Sequence, residues 1–397
     1  MAQPAAGSDI LTMSLEQCQQ YASSNSLVMR AADRRIDRAR ALQGTAWDID
    51  RTELSLSQDP TSGGSPDNAL ALSQQIEFPT VYSSRRRQLR AETRVQENSR
   101  SVAAQQLRAD IASAYWQLVY CQERVRLLMA SDTLLSRYVS VAEARYTTGE
   151  ARRLEWLSAT RQQRANAMLL AEARAECDVA CAQLALLVGT GGRITPADTT
   201  LQPLPYTPSG YAYGGTPEGE LAQSRVVAAD RAIGVARSGY APSLSLTLKN
   251  QLVITGWDPY HENRSRYAGG NFMGFEVGIG IPLFYGATRA RVRSARADRD
   301  IAIIDMQRQQ SERLADYQVA LRRYASASER MAYYCGQGAA SADEMVRLGE
   351  IEYANGEISY MEYVSAMQEA SDTRLSRASA INDYNQAVVA LQRLEGK

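Results

Sequence analysis

Residues 107–146 read LRADIASAYWQLVYCQERVRLLMASDTLLSRYVSVAEARY. Alternating steps of four and three through them pick out Leu107, Ile111, Ala114, Leu118, Cys121, Val125, Leu128, Asp132, Leu135, Val139, Ala142 and Tyr146, a series broken only by Asp132. A period of about 3.5 residues keeps one face of a helix on a partner helix. Between Pro79 and Gly149 there is neither a proline nor a glycine, so the spacing predicts one helix over 80–148. At roughly 1.5 Å per residue it would be about 100 Å long, several times an ordinary globular helix. Such a helix cannot fold back into a compact core; it is a strut.

The end of that strut recurs. Tyr146-Thr-Thr-Gly149-Glu150 returns as Tyr353-Ala-Asn-Gly356-Glu357, and at the same offset Glu155 meets Glu362, Trp156 meets Tyr363, and Ser158-Ala159 meets Ser365-Ala366. Each Gly-Glu opens a run free of Gly and Pro, 150–188 and 357–395, closed by Leu184-x-x-Leu187-x-Gly189 and Leu391-x-x-Leu394-x-Gly396. Upstream, Ile76-Glu-Phe78-Pro79 pairs with Gly280-Ile281-Pro282, and Ile36-x-x-Ala39-Arg40 with Ile233-x-x-Ala236-Arg237. A duplication is expected: a first repeat over 1–190, an irregular, proline-rich inter-repeat segment over 191–217, and a second repeat over 218–397.

Each repeat reads as a helix, two strands, a very long helix, a tight turn and a second long helix. The first helices are expected at about 14–48, opened by a Ser14/Gln17 capping-box pattern, and at about 218–238. Strands are expected at about 51–58 and 69–78, and at about 243–255 and 271–284. In the last, Met273, Phe275, Val277, Ile279, Ile281 and Leu283 alternate with Gly274, Glu276, Gly278, Gly280 and Pro282. That is one bulky apolar face and one small or polar face. Two hairpins joined by Gly/Pro/Asp/Asn-rich connections (59–68, about 256–270) need closure or cover, and strands of about 10 residues suit a tilted bilayer crossing. Four strands cannot close a barrel, whereas several protomers contributing four each can. Phe78-Pro79 and Ile281-Pro282 end the ladders, since proline lacks the N–H. The arginines that follow, Arg85, Arg86 and Arg87, then Arg289, Arg291 and Arg293, mark either the edge of the hydrocarbon or one solvated helix face.

Composition narrows the function. The 397 residues carry 44 Lys+Arg and 44 Asp+Glu, without the basic excess of a nucleic-acid binder. No apolar run reaches the length of a transmembrane helix, which leaves β-barrels untouched. The start shows no basic and apolar signal-peptide pattern, which fits either a cytoplasmic start or a mature exported chain, its signal peptide removed and Met1 a replacement start. Five scattered cysteines make no disulfide framework. Cys177 and Cys181 lie one turn apart in a stripe with Leu170, Ala173, Leu184 and Val188, which favours seam packing over a metal pair. The single histidine, His261, reads as a solvated loop residue rather than a ligand. No phosphate-cradling glycine loop, metal-spaced set or triad is found, so no enzyme, cofactor or metal is expected.

The duplicated plan, the strands ending in Phe-Pro or Ile-Pro, and the Tyr-x-x-Gly-Glu turn followed by an acidic residue and Ser-Ala resemble the TolC family of outer-membrane efflux proteins over nearly the whole chain. Ser73-Gln-Gln-Ile-Glu-Phe-Pro79 before an arginine cluster is similar to its heavy-metal efflux branch. The resemblance implies an α+β membrane protein, mostly long α-helices in a helical barrel of coiled-coil type. Each chain of a homotrimer would add four strands to a 12-stranded transmembrane β-barrel in the outer membrane of a Gram-negative bacterium. It implies an exit duct serving a periplasmic adaptor protein and an inner-membrane transporter of the RND type, in contact with outer-membrane lipid. Type I protein secretion is a variant of this reading; a soluble coiled-coil scaffold is a different class.

By the same resemblance Gly149, Glu150, Gly356 and Glu357 are tip turns where an adaptor docks. In a trimer Glu155 and Glu362 make rings of three carboxylates if they face the lumen, and such rings favour cations; otherwise they are charges at helix starts. Tyr353 matches a family tyrosine that bonds across neighbouring coils. Arg152 and Arg153 are available partners for Glu155 or Glu362. The arginine usual after the second glycine is replaced by Ile358, so the family's bonding scheme does not transfer directly.

Overall fold

The structure, a computed structural model, describes residues 10–59, 67–150, 152–253 and 271–397. The start at Met1, residues 60–66 of the first connection, and the loop expected at 256–270 with His261 lie outside them.

In chain order the elements are β1 (Ile10–Met13), α1 (Leu15–Asn25), α2 (Leu27–Leu42), a 3₁₀ turn, β2 (Glu53–Asp59), β3 (Asp67–Glu77), α3 (Pro79–Thr147), α4 (Arg153–Val188), β4 (Arg193–Pro196), a second 3₁₀ turn, α5 (Pro217–Ser238), β5 (Ser243–Val253), β6 (Asn271–Gly280), α6 (Gly286–Tyr333), a π-helical turn, α7 (Ala339–Ala354) and α8 (Tyr360–Leu394). The strut is thus a single helix of 69 residues. The chain folds as two units, Met1–Asp33 with Ser99–Gly219 and Gln309–Lys397, and Arg34–Asn98 with Glu220–Arg308. Each draws on both halves of the sequence.

In the first unit the 3.5-residue seam of α3 is the buried line. Leu107, Ile111, Leu118, Cys121, Leu128, Leu135 and Ala142 are all buried. Ile111, Tyr115 and Leu118 pack with Cys18, Ala22, Cys181, Leu184, Val188 and Ile194 in one core. Asp132, the seam's polar member, has a buried Oδ1 without a partner. Cys181 donates its thiol to the carbonyl of Ile194 at 3.3 Å, and all five cysteines are free. Along 199–211 an irregular strap is fastened to α8. Asn385, fully buried, accepts from the Leu204 N–H and donates to the Gln202 carbonyl, both at 2.9 Å.

The second unit carries an antiparallel sheet of order β2-β3-β5-β6, entered and left by α2, α3, α5 and α6. Its β6 stops at Gly280, short of the expected 284. Gly280 is opposite Ser243, the first residue of β5, and Pro282 has no N–H to extend the ladder.

Three further differences have local causes. The first helix, expected as one piece over 14–48, breaks at Ser26, which is extended. The run Ser23-Ser24-Asn25-Ser26 supplies side chains that compete for backbone groups, and Ser26 Oγ accepts from the Val28 N–H at 3.3 Å. The very long helix expected in the second repeat is interrupted by the π turn Tyr334–Gly338, which holds Gly336 and Gly338, weak helix formers. The parallel pair β1–β4 was not foreseen, because four-residue strands leave no periodic trace.

Candidate functional site

Two surfaces answer to the functional expectations, one in each unit. The first is the sheet. Its register puts Leu54, Leu72, Leu248 and Phe275 in one row, and Leu56, Leu70, Asn250 and Met273 in another. A third row is Gln74, Leu246 and Val277, and a fourth is Ile76, Leu244 and Ile279. The opposite face carries Ser55, Ala71, Lys249 and Gly274, then Ser73, Thr247 and Glu276, then Gln75, Ser245 and Gly278. Lys249 and Glu276 pair across strands at 2.7 Å on that face. The apolar rows are open to the outside: Leu56 is 75% and Met273 80% exposed. Strands β2 and β6 are both unpaired edges. A soluble protein blunts such edges or covers such a face.

The second surface is the pair of helix tips. After α3, the Gly149 N–H bonds to the Tyr146 carbonyl at 3.1 Å and the Glu150 N–H to the Arg145 carbonyl at 2.8 Å. After α7, Gly356 bonds to Tyr353 and Glu357 to Glu352 at the same two distances. Both are Schellman closures, which need a left-handed residue. Gly149 and Gly356 supply it at φ of +79° and +76°. The turns displace the helix starts from the expected 150 and 357 to 153 and 360.

Beyond the turns the two tips diverge. Ser359 and Glu362 form a capping box: Glu362 Oε2 accepts from the Ser359 N–H at 2.8 Å, and Ser359 Oγ from the Glu362 N–H at 3.3 Å. The hydrogen bonds from Ser359 hold the Glu362 carboxyl below its usual pKa. At the other tip the N-cap is Arg152, which offers no side-chain acceptor, and Glu155 is half-buried. The nearby charge of Glu155, after burial itself, helps push the Tyr138 hydroxyl upward. Arg152 and Arg153 are exposed, and among the described residues neither pairs with Glu155 or Glu362.

What the sequence reading missed is an aromatic cluster behind the tips. Tyr353 stacks on Tyr363 at 5.0 Å between centroids and meets Tyr360 at 5.3 Å. Tyr360 in turn meets Tyr138 at 5.3 Å. In the first repeat Tyr146 stacks on Trp156 at 5.8 Å. The two stacked pairs occupy equivalent positions, so the recurrence of Tyr146/Trp156 as Tyr353/Tyr363 was a readable signal. Tyr360 and Tyr363 join Leu135, Tyr138, Ala142, Ala159 and Val364 in a small core.

Residues 220–397 match the family described as outer membrane efflux protein. The second half of the chain carries that family's sequence pattern. Over 305 residues it is 24% identical to the cobalt-zinc-cadmium resistance protein CzcC of Cupriavidus metallidurans, covering 73% of this chain and 68% of that protein. The solved CusC structure superposes with a TM-score of 0.78 at 19% identity, over 100% of this chain and 96% of that one. The open state of the Neisseria gonorrhoeae MtrE outer membrane channel superposes with a TM-score of 0.75 at 17% identity, over 96% and 88%. The matched family and the MtrE structure are of outer-membrane efflux and channel proteins rather than enzymes. The long helices and the four-stranded sheet are that fold.

Proposed function

We propose that three copies of this chain form the outer-membrane exit duct of a tripartite efflux system. Twelve strands close the barrel, and the helices continue it as a tunnel. The duct passively conducts substrate delivered by an inner-membrane transporter of the RND type through a periplasmic adaptor. The observation that carries this reading is the sheet: one face of exposed Leu, Met, Phe, Val and Ile, one face small or polar, and an unpaired strand at each edge. Three such sheets joined edge to edge leave no free edge, put the apolar face to lipid, and leave the small face for a lumen.

The tips are the proposed gate, with the paired turns at Gly149-Glu150 and Gly356-Glu357 offered to the adaptor. Glu362 and Glu155 supply carboxylate rings, Tyr353 a tip contact, and Arg152 and Arg153 the unpaired cations that a neighbouring chain's acids can take. Likeness to a cobalt-zinc-cadmium resistance protein favours metal cations as cargo, which suits acidic rings. The test is reconstitution. The protein should need detergent, sediment as a trimer and give discrete conductance steps in planar bilayers. A detergent-independent monomer without conductance rejects the reading in favour of a helical scaffold.

A further inference from the structure

The arginine clusters after the strands do not act as a block. Arg85 turns back to Glu77, pairing at 3.1 Å, whereas Arg87 faces a pocket of about 220 Å³ within the sheet-bearing unit. Around that pocket Arg87 of α3 meets Asp230, Arg231 and Arg237 of α5 and Arg296 and Arg299 of α6. The floor is apolar, at the buried Ile233. Five arginines from three helices therefore line one cavity, with Arg87, Arg231, Arg237 and Arg296 exposed and Arg299 half-buried.

Their acids are too few. Arg299 pairs with Asp300 at 2.7 Å, and Asp230 also acts on Arg299. Among the described residues no carboxylate forms an ion pair with Arg87, Arg231, Arg237 or Arg296. Converging like charges raise the energy of the fold unless an anion sits between them. Arginine is the side chain whose planar fork grips phosphate oxygens two at a time. A cavity of this size admits a phosphate and part of the group esterified to it.

Position supplies the second argument, and it rests on the reading of the sheet as lipid-facing. Arg87 lies about 12 Å along α3 from Pro79, its first residue, and Arg296 about 15 Å along α6 from its start. The cavity therefore lies within reach of the headgroups on the helical side of the membrane. We propose that this pocket binds the phosphate of an anionic phospholipid headgroup, anchoring the helices that leave the barrel. Inorganic phosphate shares the chemistry and is the alternative source.

The full-length protein, delipidated in detergent, is titrated with phosphatidylglycerol and with diacylglycerol by native mass spectrometry, and with inorganic phosphate by calorimetry. Phosphatidylglycerol should bind and diacylglycerol should not. Arg231→Gln/Arg296→Gln should weaken phosphatidylglycerol at least tenfold, and Arg231→Lys/Arg296→Lys by less. Arg86→Gln, at an exposed arginine that does not line the cavity, should change nothing. If the double variant fails to fold, Arg237→Gln alone carries the comparison. Phosphate binding as tightly as the lipid, with the same sensitivity to the variants, supports the site with a soluble source. Equal lipid binding by wild type and the glutamine variants, with no variant-sensitive phosphate binding, overturns it. Bilayer conductance is scored separately. A conducting protein whose lipid binding ignores these arginines sinks this inference alone, and a protein soluble without detergent sinks the lipid-facing reading.

Discussion

Two substitutions three residues apart separate charge from structure at the second tip. Glu362→Gln removes the carboxylate but keeps the capping box, since glutamine fills that position equally well. Ser359→Ala keeps the carboxylate and removes the hydroxyl that accepts from the Glu362 N–H. Losing such a cap costs about 1 kcal/mol per helix. In the proposed trimer the three losses sum to about 3 kcal/mol, on the order of a 150-fold shift in the equilibrium between ordered and frayed tips. Single-channel recording under a salt gradient reads both effects. Glu362→Gln should lower the cation preference seen in the reversal potential while amide exchange at 359–363 stays as in wild type. Ser359→Ala should keep the preference and raise both exchange and open probability. Acidification adds a third arm. The Glu362 pKa is lowered from its ordinary 4.5. The charge therefore persists as pH falls past that value and is lost only as it passes the folded one, where wild type should converge on Glu362→Gln in its reversal potential. An unchanged reversal potential in Glu362→Gln at neutral pH removes the carboxylate ring from the account. Unchanged exchange in Ser359→Ala removes the cap's energetic role.

Asn385→Ala removes a fully buried side chain and both part-buried hydrogen bonds to the Leu204 N–H and the Gln202 carbonyl, which should cost about 1–3 kcal/mol. Chemical denaturation and loss of Leu204 amide protection check it, and full protection in the variant contradicts it. Burial pushes the Cys18 and Cys121 thiols up to about 11 and the Tyr384 hydroxyl to about 12. Groups with raised folded values add stability that is complete below their ordinary range and fades as pH rises through the folded values. Denaturation midpoints should hold to pH 9 and fall between about 9 and 12; a flat profile to pH 12 contradicts the burial of these groups.

Local periodicity alone determined the elements. The 3.5-residue seam marked the buried line of α3, the two-residue alternation marked the outward face of β6, and Tyr-x-x-Gly-Glu marked both helix reversals. Each depends on residues near in sequence, which is why all are legible without coordinates. The Ser359/Glu362 box was equally local, an Ser-x-x-Glu pattern overlooked because Glu362 was weighed for its charge. Tertiary structure decided the rest. Periodicity reports that a helix face is covered but not by what, so the meeting of Tyr138 with Tyr360 could not be read. Nor could Asn385's hold on the strap, the parallel pairing of β1 with β4, or the convergence of Arg87, Arg231 and Arg296. Their partners are set by how distant helices and strands pack, a choice made by the summed burial of the whole chain rather than by any one segment of it.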